Sequence, residues 1–147
     1  MADERAISFG NGKVEVQLPD AVRVSSNKDQ TLVAVFGATG DHKLELTLHE
    51  ELMAASAADA AEQFVREQAQ QKGRRLQEVP GKALFLEPGG EFTEDGKAFR
   101  TMHLQVGFGK SLVIITITAP VTQPISPALR EFLGRPMNAM IASLRRT

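Results

Sequence analysis

An α+β domain built on a single antiparallel sheet with two main helices is the fold class that the sequence predicts, on three observations. From Lys110 to Ala119 β-branched residues fill most positions and neither face is fully polar, the pattern of a central strand packed on one face and usable on the other. Along the chain the apolar period passes from two to about 3.6 and back, which places the strand and helix segments. Finally Ser126, at an N-cap position, and Pro127, at a first helical position, announce a closing helix.

Taken in order, Val14, Val16 and Leu18 alternate with Lys13, Glu15 and Gln17, and Pro19 ends a first strand. Thr31 to Phe36 is a short apolar run closed by the loop Gly37-Ala38-Thr39-Gly40-Asp41. Leu44, Leu46 and Leu48 alternate with Lys43, Glu45, Thr47 and His49 in a half-buried strand. A helix follows: Ser56 and Asp59 are spaced as a capping box, and Ala57, Ala61, Phe64, Val65 and Ala69 form one stripe up to Gly73. Its other face is rich in Gln and Glu, so the helix should lie on the sheet and look outward to water.

The second half reads as hairpins. Leu76–Val79 and Ala83–Leu86 flank Pro80-Gly81, and Pro88-Gly89-Gly90 should interrupt the second of these. Glu94-Asp95-Gly96 turns the chain into Lys97–Phe108, where Met102, Leu104, Val106 and Phe108 share one face and Phe99, Thr101, His103 and Gln105 the other. Gly109 tightens the next turn. The closing helix carries Leu129, Phe132, Leu133, Met137, Met140, Ile141 and Leu144, with a kink at Gly134-Arg135-Pro136 and Arg145 and Arg146 complementing its dipole in the last turn.

A chain of 147 residues is one domain, spanning 1–147, and long enough to bury roughly 68–70% of its unfolded surface. Its 42% apolar fraction suits a globular protein, and a net charge of −1 argues against nucleic-acid binding driven by a strong field. The chain has no cysteine, which removes disulfides, thiolate nucleophiles and thiolate metal ligands. Its charged start, Met1-Ala2-Asp3-Glu4-Arg5, leads into no apolar segment, and nowhere do eighteen apolar residues run together. The expectation is a soluble cytoplasmic protein with no membrane contact.

Strings that suggest chemistry do not meet its requirements. Gly107-Phe108-Gly109-Lys110-Ser111 resembles the end of a phosphate loop, but Leu104 occupies the position of the leading glycine and a strand follows instead of a helix. Gly37-Ala38-Thr39-Gly40 lacks dinucleotide-binding spacing. His42 and His49 stand seven apart on one strand and so on opposite faces; His103 could lie near His49 and Glu45, a thin metal site. Glu50, Glu51, Glu87, Glu91, Glu94 and Asp95 fall where turns or solvated edges are expected. Neither catalysis, a cofactor nor a metal is expected.

With Val113, Ile115, Ile117 and Ala119 turned toward both helices, Leu112, Ile114, Thr116 and Thr118 face away beside Phe99, Thr101, His103 and Gln105. This mixed apolar and hydroxyl surface suits a protein partner or self-association as a homodimer. Phe99, Thr101, His103, Gln105, Leu112, Ile114 and Thr116 are the candidate partner-binding residues.

The order of elements, ending in Lys110–Pro120, a proline-containing loop and a helix through Ala142-Ser143-Leu144-Arg145-Arg146, resembles the PsbP-like fold over the whole chain, most of all in Phe99–Pro120. Among that fold's branches it looks like the cytosolic Eag-type chaperones of type VI secretion effectors. The resemblance implies a non-enzymatic module that cradles an apolar segment of a secreted bacterial effector against its sheet, as chaperone or adaptor. The alternatives are an immunity protein that neutralises a toxin and, if His49 and His103 converge in a pocket, a small-molecule binder or hydrolase.

Overall fold

The computed structural model describes residues 5–10, 14–18, 22–28, 31–36, 44–54, 56–121 and 127–146. Ten strands and three helices appear among them: β1 (Arg5–Phe9), β2 (Val14–Leu18), β3 (Val22–Lys28), β4 (Thr31–Phe36), β5 (Leu44–Leu52), α1 (Ala60–Gln71), β6 (Gln77–Val79), β7 (Lys82–Glu94), β8 (Lys97–Phe108), β9 (Ser111–Pro120), α2 (Pro127–Phe132), α3 (Arg135–Ser143) and β10 (Arg145–Arg146). The α+β antiparallel class is as expected. The strands divide into two sheets instead of one: a large sheet in the order β3-β4-β5-β9-β8-β7-β6 and a small one in the order β1-β2-β10. The loop at Gly37–Asp41, His42 and the Ser126 cap lie outside the described residues.

β9 occupies the middle of the large sheet, paired antiparallel with β5 on one side and β8 on the other. Its residues Val113, Ile115 and Ile117 are fully buried, as are Leu44, Leu46 and Leu48 of β5 and Val106 of β8, because the period of two turns all of them to one face. α2 and α3 supply Phe132, Met140 and Ile141 to this core, and β2 adds Val14, Val16 and Leu18. The small sheet therefore closes the same core as the last two helices.

Helix α1 corrects the expectation that both helices share one face. Its buried residues Ala61, Val65 and Ala69 pack with Ala83, Phe85 and Leu112, which point to the opposite side of the sheet from Ile115. The approach is close because the helix buries mainly small residues and because residue 107 of β8 has no side chain. A Cβ at Gly107 would stand 2.3 Å from the Ala61 carbonyl oxygen and 2.9 Å from a Val65 methyl. Nor does Ser56 cap the helix: the N-cap residue is Asp59, with no side-chain cap bond, and the Ala61 amide donates instead to the Gly109 carbonyl at 2.9 Å. The β8–β9 turn thus satisfies an orphan amide of the first helical turn.

Three further expectations change. Pro88-Gly89-Gly90 does not end β7; one extra residue is absorbed as a bulge between Pro88 and Glu91, and the strand continues to Asp95-Gly96, both at positive φ (52° and 77°) as a tight hairpin turn requires. The closing helix is broken in two at Gly134, whose ψ of −123° is neither helical nor extended and precedes Pro136 in the first turn of α3. Arg145 and Arg146 leave the helix to form β10 on β2, and Lys82 takes over the α3 end by donating from Nζ to the Ala142 carbonyl at 3.2 Å.

Two outcomes follow from this packing. Ile115, fully buried between Leu48 and Leu104, should cost about 2–5 kcal/mol when changed to Ala, read as the loss of unfolding free energy in urea. Gly107→Ala drives a methyl group into the α1 backbone and should cost about 1–3 kcal/mol by the same measurement, although it adds apolar volume.

Candidate functional site

On the α1 side, the register lays the large sheet out in rows. Gly107, Leu112 and Glu51 form one, with Ala83 beside Gly107; Phe85, Gln105, Ile114, His49 and Thr31 form the next. Then come Glu87, His103, Thr116, Thr47 and Val33, and after them Thr101, Thr118, Glu45 and Val35. A last row holds Phe92, Phe99 and Pro120. α1 covers the first row and leans on the second. The outer rows are half-buried Thr, Val and His side chains with the exposed Glu45.

All seven sequence-predicted partner residues fall on this face and in adjoining positions of β8 and β9, and their environments differ. Leu112 is 3% exposed beneath α1, so it is a core residue and the surface assigned to it is closed. Ile114 is half-buried against the same cluster. Gln105 donates toward Glu87 at 3.5 Å, and its buried Oε1 finds no hydrogen-bond partner among the described residues. Phe99, Thr101, His103 and Thr116 remain half open. Sequence reasoning missed Val33, Val35 and Thr47 as their neighbours, because the outward phase of β4 and β5 is visible in the alternation but the order of strands in the sheet is not.

The polar groups of the outer rows are held in place. His103 Nδ1 lies 3.2 Å from Thr116 Oγ1, and His49 Nδ1 lies 3.1 Å from Thr31 Oγ1, with Glu51 3.9 Å from its Nε2. Thr101 locks the β7 bulge: its Oγ1 accepts from the Gly90 amide at 2.9 Å and donates to the Gly90 carbonyl at 3.2 Å. At Gly89 a Cβ would stand 2.2 Å from Thr101 Oγ1 and 2.8 Å from His103 Nε2, so the bulge glycine gives the imidazole its place. Glu87 accepts from Lys72 Nζ at 3.0 Å at the end of α1.

His49 and His103 stand on either side of β9, two strand spacings or about 10 Å apart, and in different rows. Among the described residues no three His, Asp or Glu side chains gather as they would around a metal ion. A separate open groove of about 390 Å³ runs between α1 and the β6–β7 hairpin, lined by Glu62, Arg66, Glu78, Pro80 and Lys82. An ion pair from Arg66 to Glu78 borders it, and burial pushes the Lys82 ammonium below its ordinary value.

At the far end, the β7–β8 hairpin runs past the last residue of β9, which is Pro120 opposite Phe99. Its two aromatic rings, Phe92 and Phe99, stack at 5.4 Å with an interplanar angle of 22°, and Phe92 is 42% exposed. On the reverse side Arg100 pairs with Glu91 at 2.9 Å.

No protein-family model and no curated protein matches this chain. Solved structures do. A protein from Bacteroides thetaiotaomicron VPI-5482 aligns over 97% of the chain with a TM-score of 0.67 at 12% identity; the chain spans 48% of that protein's length. LpqN of Mycobacterium tuberculosis, described as involved in cell envelope biogenesis, aligns over 99% of this chain and 91% of its own with a TM-score of 0.55 at 11% identity. Such identities show a shared fold and nothing finer. A cyanobacterial PsbP from Synechocystis sp. PCC 6803 is also among the matches, over 100% of this chain and 94% of its own at 12% identity, with a TM-score of 0.35. Among the described residues no helix is long and apolar enough to cross a membrane.

The paired glycines of the bulge offer a direct check on the site. Gly89→Ala should displace His103 and Thr101, seen as shifted His103 imidazole resonances and a loss of about 1–3 kcal/mol, while Gly90→Ala, with open space at its Cβ, should stay within about 0.5 kcal/mol of the parent.

Proposed function

We propose that this chain is a non-enzymatic protein-binding module whose outer sheet rows take a segment of a secreted bacterial effector, in the role of a cytoplasmic chaperone or adaptor. The observation that carries the reading is the half-buried surface of Val33, Val35, Thr47, Thr116 and Thr118 beside the stacked pair of exposed Phe92 and half-buried Phe99. It is too apolar for a plainly hydrated face, and apolar and hydroxyl groups in this mixture suit an interface core with a polar rim. The histidines of the surface are engaged with threonine hydroxyls and separated by β9, which favours recognition over acid–base work. The effector assignment rests on the resemblance to Eag-type chaperones.

A second reading has its own observation. The β7–β8 hairpin runs past Pro120 with the stacked aromatics at its base and Asp95-Gly96 at its tip, a shape suited to entering a cleft, as an immunity protein does when it plugs a toxin. Both readings use Phe92, and only the first also needs Val33, Val35, Thr47, Thr116 and Thr118.

The test captures the partner from the host, purifies it and measures affinity for variants of this chain. Thr116→Asp and Thr118→Asp should weaken binding at least about tenfold with unfolding free energies little changed, since each puts a charge into an interface core. Glu67→Lys, on the exposed side of α1, should change neither quantity. Loss confined to Phe92→Asp favours the inhibitor reading, and sedimentation showing that the captured species is a second copy of this chain replaces both with a homodimer.

A further inference from the structure

The face of the large sheet opposite α1 contains a carboxylate that its core does not need. Glu50 follows Leu44, Leu46 and Leu48 in phase on β5 and is 6% exposed. Removing a carboxylate from water is costly without a partner, and an apolar side chain of similar size would pack there as well. Its surroundings are shaped to admit it. Ser111, fully buried on β9, places Oγ 3.5 Å from Glu50 Oε2, and Gly10 faces the carboxyl group so closely that a Cβ there would stand 2.9 Å from the carboxyl carbon.

The cation of this cluster comes from the other sheet. Arg146 donates to Ser111 Oγ and places its guanidinium 3.9 Å from Glu50 Oε2. It belongs to β10, a strand of two residues that pairs only with Val14 and Glu15 of β2. Before it, Leu144 is buried in the core and Ser143 bonds the Gln17 backbone, but the two residues of β10 themselves have only this short pairing to hold them. Arg145 meets Glu15 with a side chain that is 65% exposed, and exposed pairs contribute little. Beyond β10, the edge of β2 is closed by Ser143 Oγ, which accepts from the Gln17 amide at 2.8 Å.

We propose that Arg145–Arg146 is a charge-locked strap. Glu50 and Ser111, on two strands of the large sheet, grip Arg146 and so hold β10 over the edge of β2, fastening the small sheet to the large one across the core. The buried charge is then explained by what it holds. Burial of Leu144 brings the chain to the edge of β2, and the partly dry ion pair fixes where the two residues after it lie.

The test is a cycle of Arg146→Ala and Glu50→Gln in the full chain, read by hydrogen exchange over residues 14–18 and by urea unfolding. Each single change should release the strap and speed exchange at the β2 edge about tenfold or more, with the double variant no faster than either single. Arg146→Ala should also lower the unfolding midpoint, and adding Glu50→Gln should recover much of that loss because the neutral amide needs no counter-charge, yet leave exchange fast. Arg145→Ala should change exchange by less than about threefold. If Arg146→Ala does not fold, Arg146→Lys, which keeps the charge but loses the guanidinium geometry, should show intermediate exchange. Exchange at the parent rate in Arg146→Ala or Glu50→Gln, or effects that add in the double variant, would overturn the strap.

Discussion

At Gly107 the backbone of α1 comes close enough to the large sheet that a methyl group would meet the Ala61 carbonyl, and the character of the whole α1 side depends on this contact. With no side chain to hold them apart, helix and strand exclude water over Leu112, Phe85 and Ala83, and the same approach lets the Gly109 carbonyl accept from the Ala61 amide. A helix of twelve residues is about 18 Å long. It cannot also cover β9 as far as Pro120, so one face of one sheet has a dry end and an open end.

The open end is ordered all the same. The imidazole of His103 lies between Thr116 and the β7 bulge, and the bulge in turn is bonded through both polar groups of Gly90 to Thr101. A bulge re-aims side chains at the cost of one unpaired residue, and here it lies where β7 leaves the body of the sheet to form the projecting hairpin. Rigid polar groups set among half-buried apolar ones lose little entropy when a partner is added, the condition under which a modest surface can bind.

The two sides of the large sheet treat charge differently. On the α1 side Glu87 and Lys72 meet near the helix end, where water screens them, whereas Glu50 lies inside the opposite core and depends on Arg146 and Ser111. Proteins with this fold tolerate wide sequence divergence, as alignments at 11% and 12% identity over nearly the whole chain show. At such identities a shared fold carries no shared function with it.

The sequence by itself determined the parts that depend on local period and local sterics. β2, β4 and β8 have the limits that alternation predicts, β9 is central because β-branched residues fill it, and the Asp95-Gly96 turn needs only residues that accept positive φ. Which residues of β8 and β9 share a face was legible for the same reason. Tertiary structure alone decided which elements lie on each face. α1 and α3 both carry an apolar stripe, and nothing local says that one packs on Leu112 and the other opposite it; that choice rests on a missing side chain at Gly107, far from α1 in sequence. Burial of Glu50 was illegible too, since a carboxylate at a strand's end reads as solvated until a distant arginine is brought against it. Period-two and period-3.6 patterns encode the direction of a side chain from its own backbone, and only long-range packing specifies what it meets there.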